Sequence, residues 1–169
     1  ALYWRNVWIR IYSKMTTIPI KFMLKCDYVN NPIDIDIQCN QKSLWTGEIA
    51  GEQEVSCNLE VADGDHELSI IVNGHGKHNI IWNDKTKTVD KHTILEIVDL
   101  EIDSISVYEV VCTSGQWYPV MDPDFVEARR QRDGKEPDEW ERSVTFGVNG
   151  TWKMPFSTPL YQWLLETLM

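Results

Sequence analysis

Pro32-Ile33-Asp34-Ile35-Asp36-Ile37 alternates apolar and acidic residues, and Val98-Asp99-Leu100-Glu101-Ile102-Asp103, followed by Ser104-Ile105-Ser106-Val107, repeats the pattern. A period of two sends successive side chains to opposite faces of an extended strand. Isoleucines then cover a core while a row of carboxylates stands on the other side. This is the grammar of a sheet with acid along one surface.

Working outward, strand-like runs are expected at about 18–26, 33–38, 42–49, 53–60, 66–73, 93–102, 104–112 and 143–154. The breaks between them carry turn chemistry: Asn30-Asn31-Pro32, Ala50-Gly51, Asp63-Gly64-Asp65, Asn73-Gly74 and Asn149-Gly150. Many short strands with regular punctuation predict an all-β fold, an antiparallel β-sandwich of jelly-roll type. Two helices interrupt it. Asp122-Pro123 caps a helix that runs to about Arg132 and stops at Gly134, and Thr158-Pro159 opens a C-terminal helix over residues 158–169. Leu160, Trp163, Leu164 and Leu168 form the apolar face of that last helix and are expected to clamp onto the sandwich. The polar stretch from Gln131 to Glu141 reads as an exposed loop within a helical and loop insertion spanning 113–142.

The chain of 169 residues fits one domain, taken as 15–169. Two readings stand for residues 1–14: an upstream extension before Met15, or an edge strand or short helix built on Trp4, Val7, Trp8, Ile9, Ile11 and Tyr12. The formal charge of -10 disfavours nucleic acid and an anionic membrane as partners, because both are repelled at long range. No apolar run approaches the roughly 20 residues of a membrane span, and the chain reads as soluble. Cys26, Cys39, Cys57 and Cys112 lack the close pairing of zinc sites and are read as buried free thiols. Asn149-Gly150-Thr151 matches a glycosylation triplet but is explained by a glycine turn.

Asp99, Glu101 and Asp103 share one strand face, with about 7 Å between successive members. A solvated surface explains such a row. The sharper reading is a calcium site, since Ca²⁺ takes several carboxylate and carbonyl oxygens in flexible geometry. His75 and His78 sit three residues apart in a loop but have no third ligand for zinc. Eight tryptophans are a high count for this length, and aromatic rings on a sandwich rim stack on sugar rings while nearby polar groups bond the hydroxyls. Trp82, Asn83, Asp84, Trp117 and Tyr118 are the candidate glycan contacts. No nucleophile elbow, phosphate loop or zinc-protease motif is present, so catalysis has no positive signal, although a carboxylate pair for glycoside hydrolysis needs no motif.

The segment His66-Glu67-Leu68-Ser69-Ile70-Ile71-Val72-Asn73-Gly74, with Thr93 to Ile105, resembles the strand pair of calcium-dependent, xylan-binding-type carbohydrate modules. That resemblance implies jelly-roll topology, calcium and a polysaccharide or cell-surface glycan as partner. The long 113–142 segment and the C-terminal helix depart from it. The run Gly147 to Trp152, with Thr158 to Leu165, is similar to small β-sandwich virion proteins of large tailed phages of marine bacteria, which implies virion association and contacts with other virion proteins. The sequence therefore predicts non-catalytic glycan recognition first, virion assembly second and a polysaccharide-active enzyme third.

Overall fold

The computed structural model describes residues 14–27, 31–76 and 79–169. The readings for residues 1–13 and for His78 lie outside them. In chain order the strands are β1 (Thr16–Cys26), β2 (Ile33–Cys39), β3 (Lys42–Ile49), β4 (Gly51–Val61), β5 (Gly64–Val72), β6 (Ile80–Asn83), β7 (Thr88–His92), β8 (Leu95–Ile102), β9 (Ile105–Ser106), β10 (Gln116–Pro119), β11 (Thr145–Phe146) and β12 (Gly150–Thr158). The helices are α1 (Tyr108–Ser114), α2 (Pro123–Asp133) and α3 (Leu160–Leu168).

Two antiparallel sheets face each other across one core. The first runs β11-β8-β1-β4 with β9 added to β8, the second runs β10-β12-β5-β2-β3, and β6-β7 forms a separate hairpin. Alternation does what the sequence requires: Ile33, Ile35 and Ile37 are buried while Asp34 is exposed and Asp36 half-buried. β1 contributes Ile18, Ile20, Phe22, Leu24 and Cys26 to the same interior. Phe22 meets Trp152 of the opposite sheet edge to face, with ring centroids 6.2 Å apart. Trp117 of β10 stacks on Phe146 of β11 at 4.2 Å, joining the two sheets along one side.

A bulge in β8 places Met23 opposite Asp99 and Leu24 opposite Ile97, so Val98 is displaced outward. The inward series therefore runs Leu95, Ile97, Leu100, Ile102, and the phase breaks at Val98.

The strand expected over 104–112 is corrected. Only Ile105–Ser106 is extended, and Tyr108–Ser114 is helical because Val107, Val110 and Val111 are spaced for one helix face, which is buried. The 113–142 segment holds a strand besides its helix and loop, since its Gln116–Pro119 pairs residue for residue with Lys153–Gly150. α2 begins and ends as read: the Asp122 side chain accepts from the Phe125 amide at 2.9 Å, and Gly134 takes the left-handed conformation at φ 72°. At α3 the reading shifts by one. Thr158 still belongs to β12 and its hydroxyl donates to the Ala62 carbonyl, leaving Pro159 as the cap residue. Leu160 is buried and Trp163 and Leu164 pack on the core, but Leu168 is 53% exposed, so the clamp covers only the first two turns.

Cys26 and Cys39 are buried as expected, Cys57 is half-buried, and Cys112 is exposed on α1, where strand alternation no longer hides it.

Candidate functional site

The loops that leave β5, β11 and β10 meet at one end of the sandwich. Asn79, fully buried, accepts from the Gly76 amide at 2.8 Å and donates to the Asn31 carbonyl, while its own carbonyl accepts from Thr93. Asn149 binds the backbone of His75 in both directions, accepting from its amide at 2.8 Å and donating to its carbonyl at 2.9 Å. His92 donates from Nε2 to the Gly147 carbonyl at 2.6 Å and lies edge to face with His75 at 5.2 Å. A Cβ at Gly147 would come within 2.8 Å of the His92 ring, so glycine is what lets the loop close on it. Short polar side chains thus take over the hydrogen bonding that strand ladders supply elsewhere.

These anchors leave a cleft of about 610 Å³ lined by His75, Ile80, Val120, Asp124, Phe125, Val148 and Asn149 among others. Apolar surface dominates it, with a few polar groups converging from three segments, which is the usual composition of a ligand pocket. Trp82 is 52% exposed on the β6-β7 hairpin. Ile80, on the same strand, lines the cleft; Trp82 is not among the lining residues, and the hairpin register shifts between Ile81 and Trp82. Asn83 holds the hairpin tip by accepting from the amides of Lys85 and Thr86, and its Nδ2 donates to Asp90. Asp84 is exposed in that turn.

The remaining sequence candidates lie elsewhere. Trp117 is 2% exposed and stacked on Phe146, and it reaches only the floor of a neighbouring cleft. Tyr118, next to it, faces the other way by strand alternation. On the outer face of its sheet its hydroxyl donates to Gln116, and the Lys153 ammonium lies 5.2 Å from the ring centre. Sequence reasoning passed over Phe125 and Val148 as cleft walls and noted His75 only as one of a pair of loop histidines able to bind zinc or contact a ligand. Asn149 carried a signal, its Asn-Gly turn, but its bonds to His75 arise across 74 residues of chain.

The acidic row occupies the outer face of the first sheet, away from the cleft. Asp99 accepts from the Ser106 hydroxyl at 2.7 Å and the Leu100 amide at 2.8 Å. Glu101 is ion-paired with Lys21, which stands opposite it in β1. That bond, with the nearby charges of Glu54 and Asp99, pushes the Lys21 ammonium above its ordinary pKa of 10.5. Asp103 sits in the turn after β8 at φ 52°. Eight residues separate it from Leu95 at the loop end, about 25 Å along a strand rising roughly 3.3 Å per residue. Among the described residues no group of three or more His, Cys, Asp or Glu is arranged to hold a metal ion. A lysine and a serine hydroxyl already engage the carboxylates a calcium ion would need, so the row as placed does not fit the ion.

No protein-family model matches the chain, and no curated protein matches it. Among solved structures the chain is similar to the selenomethionine form of vCBM60, described with calcium-dependent carbohydrate-binding modules, at 9% identity and a TM-score of 0.51, covering 81% of this chain and 89% of that one. vCBM60 in complex with galactobiose aligns at 10% identity and a TM-score of 0.47, covering 80% and 96% respectively. The likeness at 0.51 is one of fold, and it agrees with the antiparallel sandwich described above.

Proposed function

We propose that the protein is a non-catalytic carbohydrate-binding module that seats a glycan at the loop-end cleft. The observation that carries this reading is a cleft that combines apolar walls with His75, Asp124 and Asn149 and takes Ile80 into its lining, on the same hairpin strand as the exposed indole of Trp82. A sugar offers C–H faces to an aromatic ring and hydroxyls to amide, carboxylate and imidazole groups, and both kinds of partner converge here. Asp84 is the exposed acid of the hairpin turn, and Asn83 positions the tip. The vCBM60 likeness supports the architecture on which such a site is built. The reading does not depend on calcium at Asp99, Glu101 and Asp103.

The test is thermal melting and affinity retention over a panel of soluble polysaccharides, each with Ca²⁺ and with EDTA. A ligand that binds only the native state raises the midpoint by mass action. Trp82→Ala should abolish retention without changing the melt of the free protein. Retention that survives this substitution would remove Trp82 from the site, and a shift that requires Ca²⁺ would restore a metal to the mechanism.

One observation favours assembly as a second reading. Tyr161, Leu165 and Leu168 form an exposed stripe on α3, 53–64% accessible. Sedimentation showing oligomers that Leu165→Glu dissolves, together with no glycan shift, would favour it.

A further inference from the structure

A second cleft, of about 370 Å³, adjoins the first, and Phe125 and Val148 line both. The two differ in charge. Among the described residues, the first has Asp122 and Asp124 in its lining and no lysine or arginine. The second has Arg129 and Arg132 beside His92, with Glu141 as its carboxylate. Within the lining two guanidinium groups stand with one carboxylate, while Asp133 pairs with Arg132 from outside it, in a chain of net charge -10.

We propose that the second cleft is a subsite for an anionic substituent, a carboxylate or a sulfate, carried by the glycan whose neutral part occupies the first. The inference rests on the glycan-binding reading. Arg129 is committed to the wall: its two terminal nitrogens donate to Glu141, and it lies over the Phe125 ring at 5.0 Å. Arg132 is the recognising group. Its partner is Asp133, its own chain neighbour, and its side chain is 62% exposed, so solvent and ligand compete freely for it. Asp133 now takes the Nε and Nη2 edge of that guanidinium, and the paired oxygens of a carboxylate or sulfate match the same planar fork once they displace this exposed pair. Ser143 and Thr145 add hydroxyls to the same lining. The acidic outer face of the first sheet does not cancel this attraction, because at physiological salt charges beyond about 8 Å are largely screened.

The experiment is calorimetric titration of the full chain with matched oligosaccharides: neutral xylan and galactan fragments, their uronate-bearing counterparts, and sulfated galactan. The anionic member of a pair should bind more tightly, and Arg132→Gln should weaken it about five- to tenfold, as expected for one charge-assisted contact, while leaving the neutral member unchanged. Preference for uronate without sulfate, or the reverse, identifies the group. Equal binding of neutral and anionic members, or indifference of the anionic member to Arg132→Gln, overturns this inference and leaves the glycan reading standing. No binding by any member overturns both.

Discussion

Lys21 of β1 stands directly opposite Glu101 of β8 and is ion-paired with it across the outer face of the first sheet. Two pleat repeats further on, Lys25 lies between Glu52 and Glu96 in register. The acidic strands of the sequence are thus interleaved with a strand that supplies lysines, and cross-strand pairing relieves their repulsion.

Lys21→Met should therefore lower the melting midpoint slightly at low salt, with the loss shrinking in 1 M NaCl, where the Debye length is about 3 Å. The folded pKa of Lys21 is raised, so its contribution is complete below pH 10.5 and fades as the pH climbs through the raised value. A loss that is independent of salt would mean that packing of the lysine stem matters more than its charge.

The two tryptophans singled out together by the sequence should behave oppositely. Trp117→Ala removes a buried ring stacked on Phe146 and should cost about 3–5 kcal/mol, enough to threaten folding. Trp82→Ala, at an exposed site, should change stability by no more than about 0.5 kcal/mol. Chemical denaturation of both variants decides this, and similar losses would contradict the assignment of Trp82 to a free surface.

What the sequence revealed follows the range of the forces involved. Alternation over Ile33 to Ile37 is a local signal, and so are Asp122 and Gly134 at the ends of α2, and each was legible. Residues 107–111 misled because valines favour strands while their spacing, Val107, Val110 and Val111, is helical. Trp82 stood out beside Asn83 and Asp84, residues that turn a hairpin. The burial of Trp117 depends on Phe146, 29 positions away. The cleft was illegible for the same reason, since residues 75–76, Ile80, 120–128 and 148–149 converge only when the sandwich closes.

Asn149 ties two of those segments together, so its side chain should matter to both stability and binding. Asn149→Ala leaves the His75 amide and carbonyl without these partners, at a cost of about 1–3 kcal/mol if water cannot replace them. Asn149→Asp keeps the acceptor and loses the donor, and should fall between. Hydrogen exchange at the His75 amide reads the effect directly: acceleration is expected in the Ala variant, and unchanged protection would show that the loop is held by other contacts.

The cysteines provide a test in the alkaline range. Burial raises the Cys39 thiol from its ordinary 9.0 to about 11, with Cys57 and Glu67 adding to the effect, whereas Cys112 is exposed on α1. A raised folded pKa means that the native state holds a proton the unfolded state releases. The Cys39 contribution is therefore full below pH 9.0 and is lost progressively up to about pH 11. Stability measured by denaturant across this interval should decline less steeply in Cys39→Ala than in the parent chain. At pH 8 a thiol reagent should modify Cys112 rapidly and Cys39 only on unfolding, because the thiolate is the reacting species. Rapid native-state modification of Cys39 would show that its strand opens far more often than its buried place between β3 and β5 implies.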